Sequence, residues 1–209
     1  MASNDSVDVV VLAGGESRRF TGGEKALATV GARSILARTV DVARQVADST
    51  PILAVATEAQ RQRYDEALRG PLRYVYDAPA FGGPVAGLES AVRASEATWV
   101  VVLGCDMPLI ENPAIAWLAS QRDEQTDAVV PRTEDEVHPL HAWYRRSAVQ
   151  AAIDADLVEY SLRAMLDRLT VPLVSTADAP EPVRLERSLC NVNTRADLAD
   201  ARRMIEHDQ

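Results

Sequence analysis

With 209 residues and 47% apolar side chains, the chain is long enough to bury one sizeable core, and no Pro-, Gly- or Ser-rich linker interrupts it, so a single domain over 1–209 is expected. Its 31 acidic and 22 basic side chains leave a formal charge of -9, which argues against a generic nucleic-acid surface, where a basic face supplies most of the affinity. No apolar run reaches membrane-spanning length, and the polar, acidic start from Met1 to Asp8 lacks a leader's basic and apolar regions, so a cytoplasmic protein with no membrane partner is expected.

The first element is an apolar strand from Val7 to Leu12, and it feeds the most informative stretch of the chain. Gly14 and Gly15 form a turn, Arg18 and Arg19 follow, and a second glycine pair, Gly22 and Gly23, leads to Glu24 and Lys25. Glycine has no Cβ to collide with a ligand, so such a loop can aim several backbone N–H groups at one set of anionic oxygens while the basic side chains add charge. Lys25 is the only lysine, every other cationic side chain of the Lys/Arg type being arginine, which points to a site that needs a compact ammonium and not a planar fork. The loop lacks both G-x-x-x-x-G-K-[ST] and G-x-G-x-x-G, which disfavours a P-loop NTPase and a dinucleotide-binding dehydrogenase. An acidic excess with lysine almost eliminated also matches the surfaces of proteins adapted to concentrated salt.

Strand-like and helix-like segments then alternate. Ile35, Leu36, Val40, Ala43 and Val46 recur at helical spacing behind Ser34 as N-cap; Pro51–Ala56 reads as a strand, Glu58–Leu68 as a polar-faced helix, and Leu72–Tyr76 as a strand ending at Asp77. This β-α-β-α-β order implies a mostly parallel, Rossmann-like twisted sheet with helices on both faces, in which ligands bind at the carboxyl ends of strands. A turn-rich loop, Pro79–Leu88, opens a helix that continues to about Ala94, with Pro84 in its first turn. The apolar run that begins at Trp99 is a central strand with Asp106 at its carboxyl end, aimed at the same crevice as the glycine loop.

Further along, acidic residues from Asp123 to Glu136 read as a solvated surface interrupted by a short strand, Ala128–Pro131. His138 and His141 are three apart in extended chain, hence on opposite faces, and do not make a metal pair. Leu162, Met165, Leu166 and Leu169 form one apolar helical stripe with Arg163 apart from it. Asn191 and Asn193 share a face in extended chain, followed by Thr194 or Asn193 as N-cap of a last helix, Arg195–His207. Cys105 and Cys190 sit at strand ends and, without a C-x-x-C pair, propose neither zinc nor a disulfide.

The run from Leu12 to Lys25 resembles the nucleotidyltransferase signature L-A-G-G-x-x-x-R-[MF]-G-x-[DE]-K, and within that superfamily the chain most resembles the molybdenum cofactor guanylyltransferases of the MobA-like NTP transferase family. The likeness continues in order through Asp77, Gly83-Pro-Val-Ala-Gly-Leu88, Cys105-Asp-Met-Pro108, Pro139-Leu-His-Ala-Trp-Tyr144 and Asn191-Val-Asn-Thr. It implies a nucleotide-diphospho-sugar transferase fold, an N-terminal nucleotide-binding part and a C-terminal acceptor-binding part. It also implies that GMP passes from GTP to the phosphate of a molybdopterin-type acceptor. By the same resemblance Leu12, Ala13, Gly14, Gly15 and Asp77 bind the nucleotide, Arg19 and Lys25 hold its phosphates, and Asp106 carries Mg²⁺. Arg19, Lys25 and Asp106 form the catalytic set; Gly83, Pro84, His141, Arg163, Asn191 and Asn193 face the acceptor. Proteins that deliver or receive the cofactor are implied partners.

The chain departs from the family pattern at Phe20, Thr21 and Glu24, lacks the frequent asparagine around Ala56–Glu58, and has Arg195 in a usual proline position. The same loop and Asp106 would serve CTP with molybdopterin, GTP with a cobinamide phosphate, or an NTP with a sugar phosphate. A regulatory module that binds nucleotide without turnover is the alternative outside enzymes.

Overall fold

The computed structural model describes residues 5–15, 20, 24–155 and 161–207. A seven-stranded sheet carries the chain, in the order β5-β4-β1-β6-β8-β7-β9. Its members are β1 (Val7–Leu12), β4 (Ile52–Val55), β5 (Arg73–Tyr76), β6 (Trp99–Gly104), β7 (Ala128–Arg132), β8 (His141–Arg145) and β9 (Leu173–Ser175); a separate two-stranded ribbon pairs β2 (Thr29–Val30) with β3 (Arg33–Ser34). All sheet pairings are parallel except those of β8, which runs antiparallel to both β6 and β7. Chain order moves outward from β1 through β4 to β5 and then returns to β6 on the other side of β1. That reversal opens a crevice between the carboxyl ends of β1 and β6, the place where such sheets hold ligands.

Strand alternation divides the core into two faces. Val9, Val11, Leu53, Val55, Val101 and Leu103 point to one, where they meet α1 (Ile35–Val46), α2 (Glu58–Ala67) and α4 (Asn112–Ala119) through Leu36, Val40, Tyr64, Ile115 and Leu118. Val10, Leu12, Ile52, Ala54, Val100 and Val102 point to the other, under α3 (Pro84–Ala94), α5 (Arg146–Asp154) and α6 (Leu162–Leu166). Central strands buried on both faces read as near-continuous apolar runs, here residues 9–12 in β1 and 99–103 in β6, while the one buried carboxylate of β1, Asp8, accepts hydrogen bonds from the Ser49 and Ser95 hydroxyls.

A third cluster fixes the carboxyl end of the chain. After α7 (Leu185–Ser188), the last helix, α8 (Arg195–Glu206), packs Leu198, Ala201 and Ile205 against Val30, Ile35, Leu109 and Val192. Thr194 caps α8 by a full capping box: its side chain accepts from Asp197 N, and Asp197 Oδ2 accepts from Thr194 N at 2.8 Å. Ser34 caps α1 in the expected way, accepting from Ala37 N at 3.2 Å. Two expectations shift at their edges. Pro139 and Leu140 form a turn before β8, because Pro139 has no N–H to give to a ladder, and the Ser161-led helix is only five residues long.

Candidate active site

The crevice at the carboxyl edge of the sheet is a cleft of about 610 Å³. Its floor and walls are Leu12, Gly14 and Gly15 after β1, Asp77 after β5, Gly104, Cys105 and Asp106 at the end of β6, and Gly83, Pro84 and Gly87 at the start of α3; Lys25, Ala26, Tyr64, Phe81, Ala86 and Leu140 complete it. Backbone hydrogen bonds fix these strand ends to one another. Ala13 N donates to Ala54 O at 2.8 Å, Cys105 N to Leu12 O at 3.2 Å, and Gly104 N to Leu140 O at 2.8 Å. The cleft residues at these strand ends are therefore extensions of the sheet, placed by its ladder.

Among the described residues two carboxylates line it, in different settings. Asp106 Oδ2 accepts from Lys25 Nζ at 2.8 Å, and both side chains are mostly buried. The same ammonium reaches Asn193 Oδ1 at 3.1 Å, and Val192 N donates to Asp106 O at 2.9 Å. Lysine, aspartate and asparagine, from residues 25, 106 and 193, thus meet at one point. Asp77 lies across the cleft, pressed onto glycine backbone. A Cβ at Gly14 would fall 2.1 Å from Asp77 Oδ2, and one at Gly87 would fall 2.9 Å from Oδ1. Burial raises the Asp77 pKa, and no cation offsets it among the described residues.

Gly83 sits at φ +60°, ψ -153° as N-cap of α3, a conformation open to glycine and strained for other residues, with Pro84 in the helix's first turn. The Cys105 thiol is pushed up to about 12, first by burial and then by the neighbouring Asp106 carboxylate, so it stays protonated at neutral pH and offers no competing nucleophile. Among the described residues no three His, Cys, Asp or Glu side chains gather into a cage for a metal ion. Asp106 is, among the described residues, the one carboxylate at the Lys25 end of the cleft, an oxygen donor of the kind that suits a hard ion such as Mg²⁺ when other oxygen ligands join it.

The sequence profile of the MobA-like NTP transferase domain matches residues 9–180. The chain belongs to this family. A probable molybdenum cofactor guanylyltransferase of Pelotomaculum thermopropionicum is 34% identical over 96% of the chain and 94% of that protein, and one of Haloferax mediterranei is 33% identical over 90% of each. Among solved structures, the molybdopterin-guanine dinucleotide biosynthesis protein A of Archaeoglobus fulgidus superposes with a TM-score of 0.79 at 22% identity, covering 96% of the chain and 99% of its own, a likeness of fold. The nucleotide-diphospho-sugar transferase type of sheet expected from the sequence is the one found.

The structure gathers most of the anticipated residues of this family member and leaves others apart. Leu12, Gly14, Gly15, Lys25, Asp77, Asp106, Gly83 and Pro84 line the cleft, Ala13 is bonded into its floor, and Asn193 touches Lys25. Asn191 sits on the same segment as Asn193, with its buried Oδ1 lacking a hydrogen-bond partner. Arg19 lies outside the described residues, as do Arg18, Thr21, Gly22 and Gly23. His141, expected beside the acceptor, does not line the cleft. It is 1% exposed, pairs with Leu103 in the β8–β6 ladder and directs Nε2 to Ser188 Oγ at 3.5 Å; Leu140, one residue earlier, takes the cleft-facing position. Arg163 is exposed on α6 and is absent from the cleft lining.

Tyr64 and Phe81 are cleft residues that motif reading passes over, and Cys105, part of the Cys105-Asp-Met-Pro108 motif, lines the cleft without having been given a role there. Tyr64 had a visible signal: it is the largest apolar side chain on the otherwise polar helix α2, and it is 1% exposed.

Proposed function

We propose that the chain transfers GMP from GTP to the terminal phosphate of molybdenum-bound molybdopterin, with release of pyrophosphate. The observation that carries this reading is the meeting of the Lys25 ammonium, the Asp106 carboxylate and the Asn193 amide at the mouth of a glycine-walled cleft. The choice of guanine and of the pterin acceptor draws on the activity named for relatives that are 34% and 33% identical over nearly the whole chain.

An acceptor phosphate oxygen attacks the α-phosphorus of GTP, the bond from that phosphorus to the bridging oxygen breaks, and the electron pair leaves with pyrophosphate. Such a transfer is promoted by positioning and charge neutralisation more than by covalent chemistry. Lys25, joined by Arg19, neutralises the departing pyrophosphate. The backbone of Leu12, Ala13 and Gly14 holds the nucleoside, and the Asp77 carboxylate accepts hydrogen bonds from its polar N–H or O–H groups. Gly83 and Pro84, with Asn191 and Asn193, border the acceptor. Asp106 would hold Mg²⁺, which would supply charge neutralisation for the nucleotide phosphates. The acceptor phosphate is already ionised near neutral pH, so no general base is needed, consistent with the absence of any histidine from the cleft lining among the described residues.

Replacing Lys25 by alanine removes a preorganised charge and should lower kcat by roughly a hundredfold or more. Steady-state pyrophosphate release with Mg²⁺, GTP and molybdenum-loaded molybdopterin checks this. A Lys25→Ala variant that turns over at the wild-type rate would remove the lysine from the mechanism.

A further inference from the structure

The glycine loop begins after Ala13 and ends at Glu24, and neighbouring residues of one helix reach both ends. Tyr64 Oη donates to Ala13 O at 3.4 Å, just where β1 gives way to the loop. Arg63 Nε donates to Glu24 Oε2 at 2.8 Å, one residue before Lys25. The Glu24 carboxylate also lies beside the Tyr64 hydroxyl, whose pKa is raised by burial first and by that carboxylate second. Tyr64 lines the cleft, yet at 1% exposed it is packed between the sheet and α2. α2 is itself fixed at its start, where Thr57 accepts from Gln60 N at 3.1 Å and Ala56 N donates to Gln60 Oε1 at 2.9 Å. A helix anchored at its first turn therefore reaches both the entry and the exit of the loop.

We propose that Arg63 and Tyr64 of α2 are positioning residues, a clamp that holds the entry at Ala13 and the exit at Glu24 in register so that Lys25 meets the nucleotide phosphates at a fixed height above Asp106. This rests on Lys25 acting on those phosphates. The geometry explains a helix that is polar along its length yet buries one tyrosine, and it gives Glu24 a role that a residue merely flanking the lysine would not need. The clamp has two arms of different physics. Arg63–Glu24 is an ion pair whose arginine is half exposed, so concentrated salt weakens it; the Tyr64 bond is sheltered and salt leaves it intact.

The test is a double-mutant cycle on GTP binding, with Kd followed into the millimolar range in the presence of Mg²⁺. Tyr64→Phe keeps the buried ring and removes only the hydroxyl; Arg63→Met removes the exposed arm. Each is expected to weaken GTP binding about fivefold, the scale of one net hydrogen bond, with a melting temperature close to wild type. In a Lys25→Ala background the same substitutions should have no further effect, because the group they position is gone. The Arg63→Met loss should also shrink in molar KCl, while the Tyr64→Phe loss should not. Wild-type affinity in both variants, or a fivefold loss that persists undiminished without Lys25, would overturn the clamp. Because the cycle reads nucleotide binding, a wild-type protein that binds GTP but releases no pyrophosphate with the pterin would overturn the acceptor assignment alone, and the same binding data would still decide the clamp.

Discussion

Gly14 shows how narrowly the cleft is drawn. A methyl group there would overlap the Asp77 carboxylate, which is the free end of a side chain and can swing away, so Gly14→Ala should leave the fold intact and displace the carboxylate. The expected outcome is GTP binding weakened at least tenfold with a melting temperature near wild type; unchanged affinity would show that Asp77 does not touch the nucleoside. This separates two uses of glycine that a sequence cannot distinguish, since Gly14 is needed for space and Gly83 for its φ of +60°. His141 illustrates a different cost. Burial first, and His138 second, hold its pKa down to about 3, below the usual 6.5 of an exposed imidazole. Between those values the unfolded chain binds a proton that the folded chain refuses, so stability is full above about pH 6.5 and falls as the pH drops toward 3. In thermal melts across that range, His141→Gln should flatten the acid limb relative to wild type; two parallel curves would place the acid sensitivity elsewhere.

At the scale of elements, the capping box of α8 joins stability to the site. Asp197 Oδ2 accepts from both Asn193 N and Thr194 N at 2.8 Å, so the helix cap also orients the asparagine that reaches Lys25. Thr194→Ala should cost about 1 kcal/mol in denaturant unfolding and lower kcat more than it raises the KM for GTP. A stability loss with unchanged kinetics would mean that Asn193 holds its place without the cap. The elements that were legible in the sequence had local, redundant signals. β1 had the apolar run over residues 9–12, α1 had its serine cap and helical periodicity, and α8 had its Thr-x-x-Asp start. Others had none. The alanine-rich α4 and α5 lack side-chain caps, and the reversed direction of β8 is a property of its long-range pairing with Leu103 to Trp99, which no local pattern encodes. The site followed the same rule. Asp106 and Lys25 announce themselves through motif and composition and Tyr64 marks itself only as a buried residue of a polar helix, whereas Phe81 enters the cleft because the sheet brings its segment to the edge. At β8 a one-residue step, from Leu140 to His141, moves a side chain from the cleft into the core, a difference of register that the motif alone does not fix.

For the molecule as a whole, the charge of -9 and the placement of its single lysine frame the chemistry. That lysine is paired with Asp106 and reaches Asn193 at the switch point of a mostly parallel sheet. Among the described residues no helix is long and apolar enough to cross a membrane. The measurement that tests the central claim most directly is pyrophosphate release with Mg²⁺ and each of GTP, CTP, ATP and UTP, with and without molybdenum-loaded molybdopterin, at low salt and in molar KCl. The account predicts release with GTP alone and only when the pterin is present. Release with a different nucleotide, release that needs a different phosphate acceptor, or bound nucleotide with no release from any pair would contradict it.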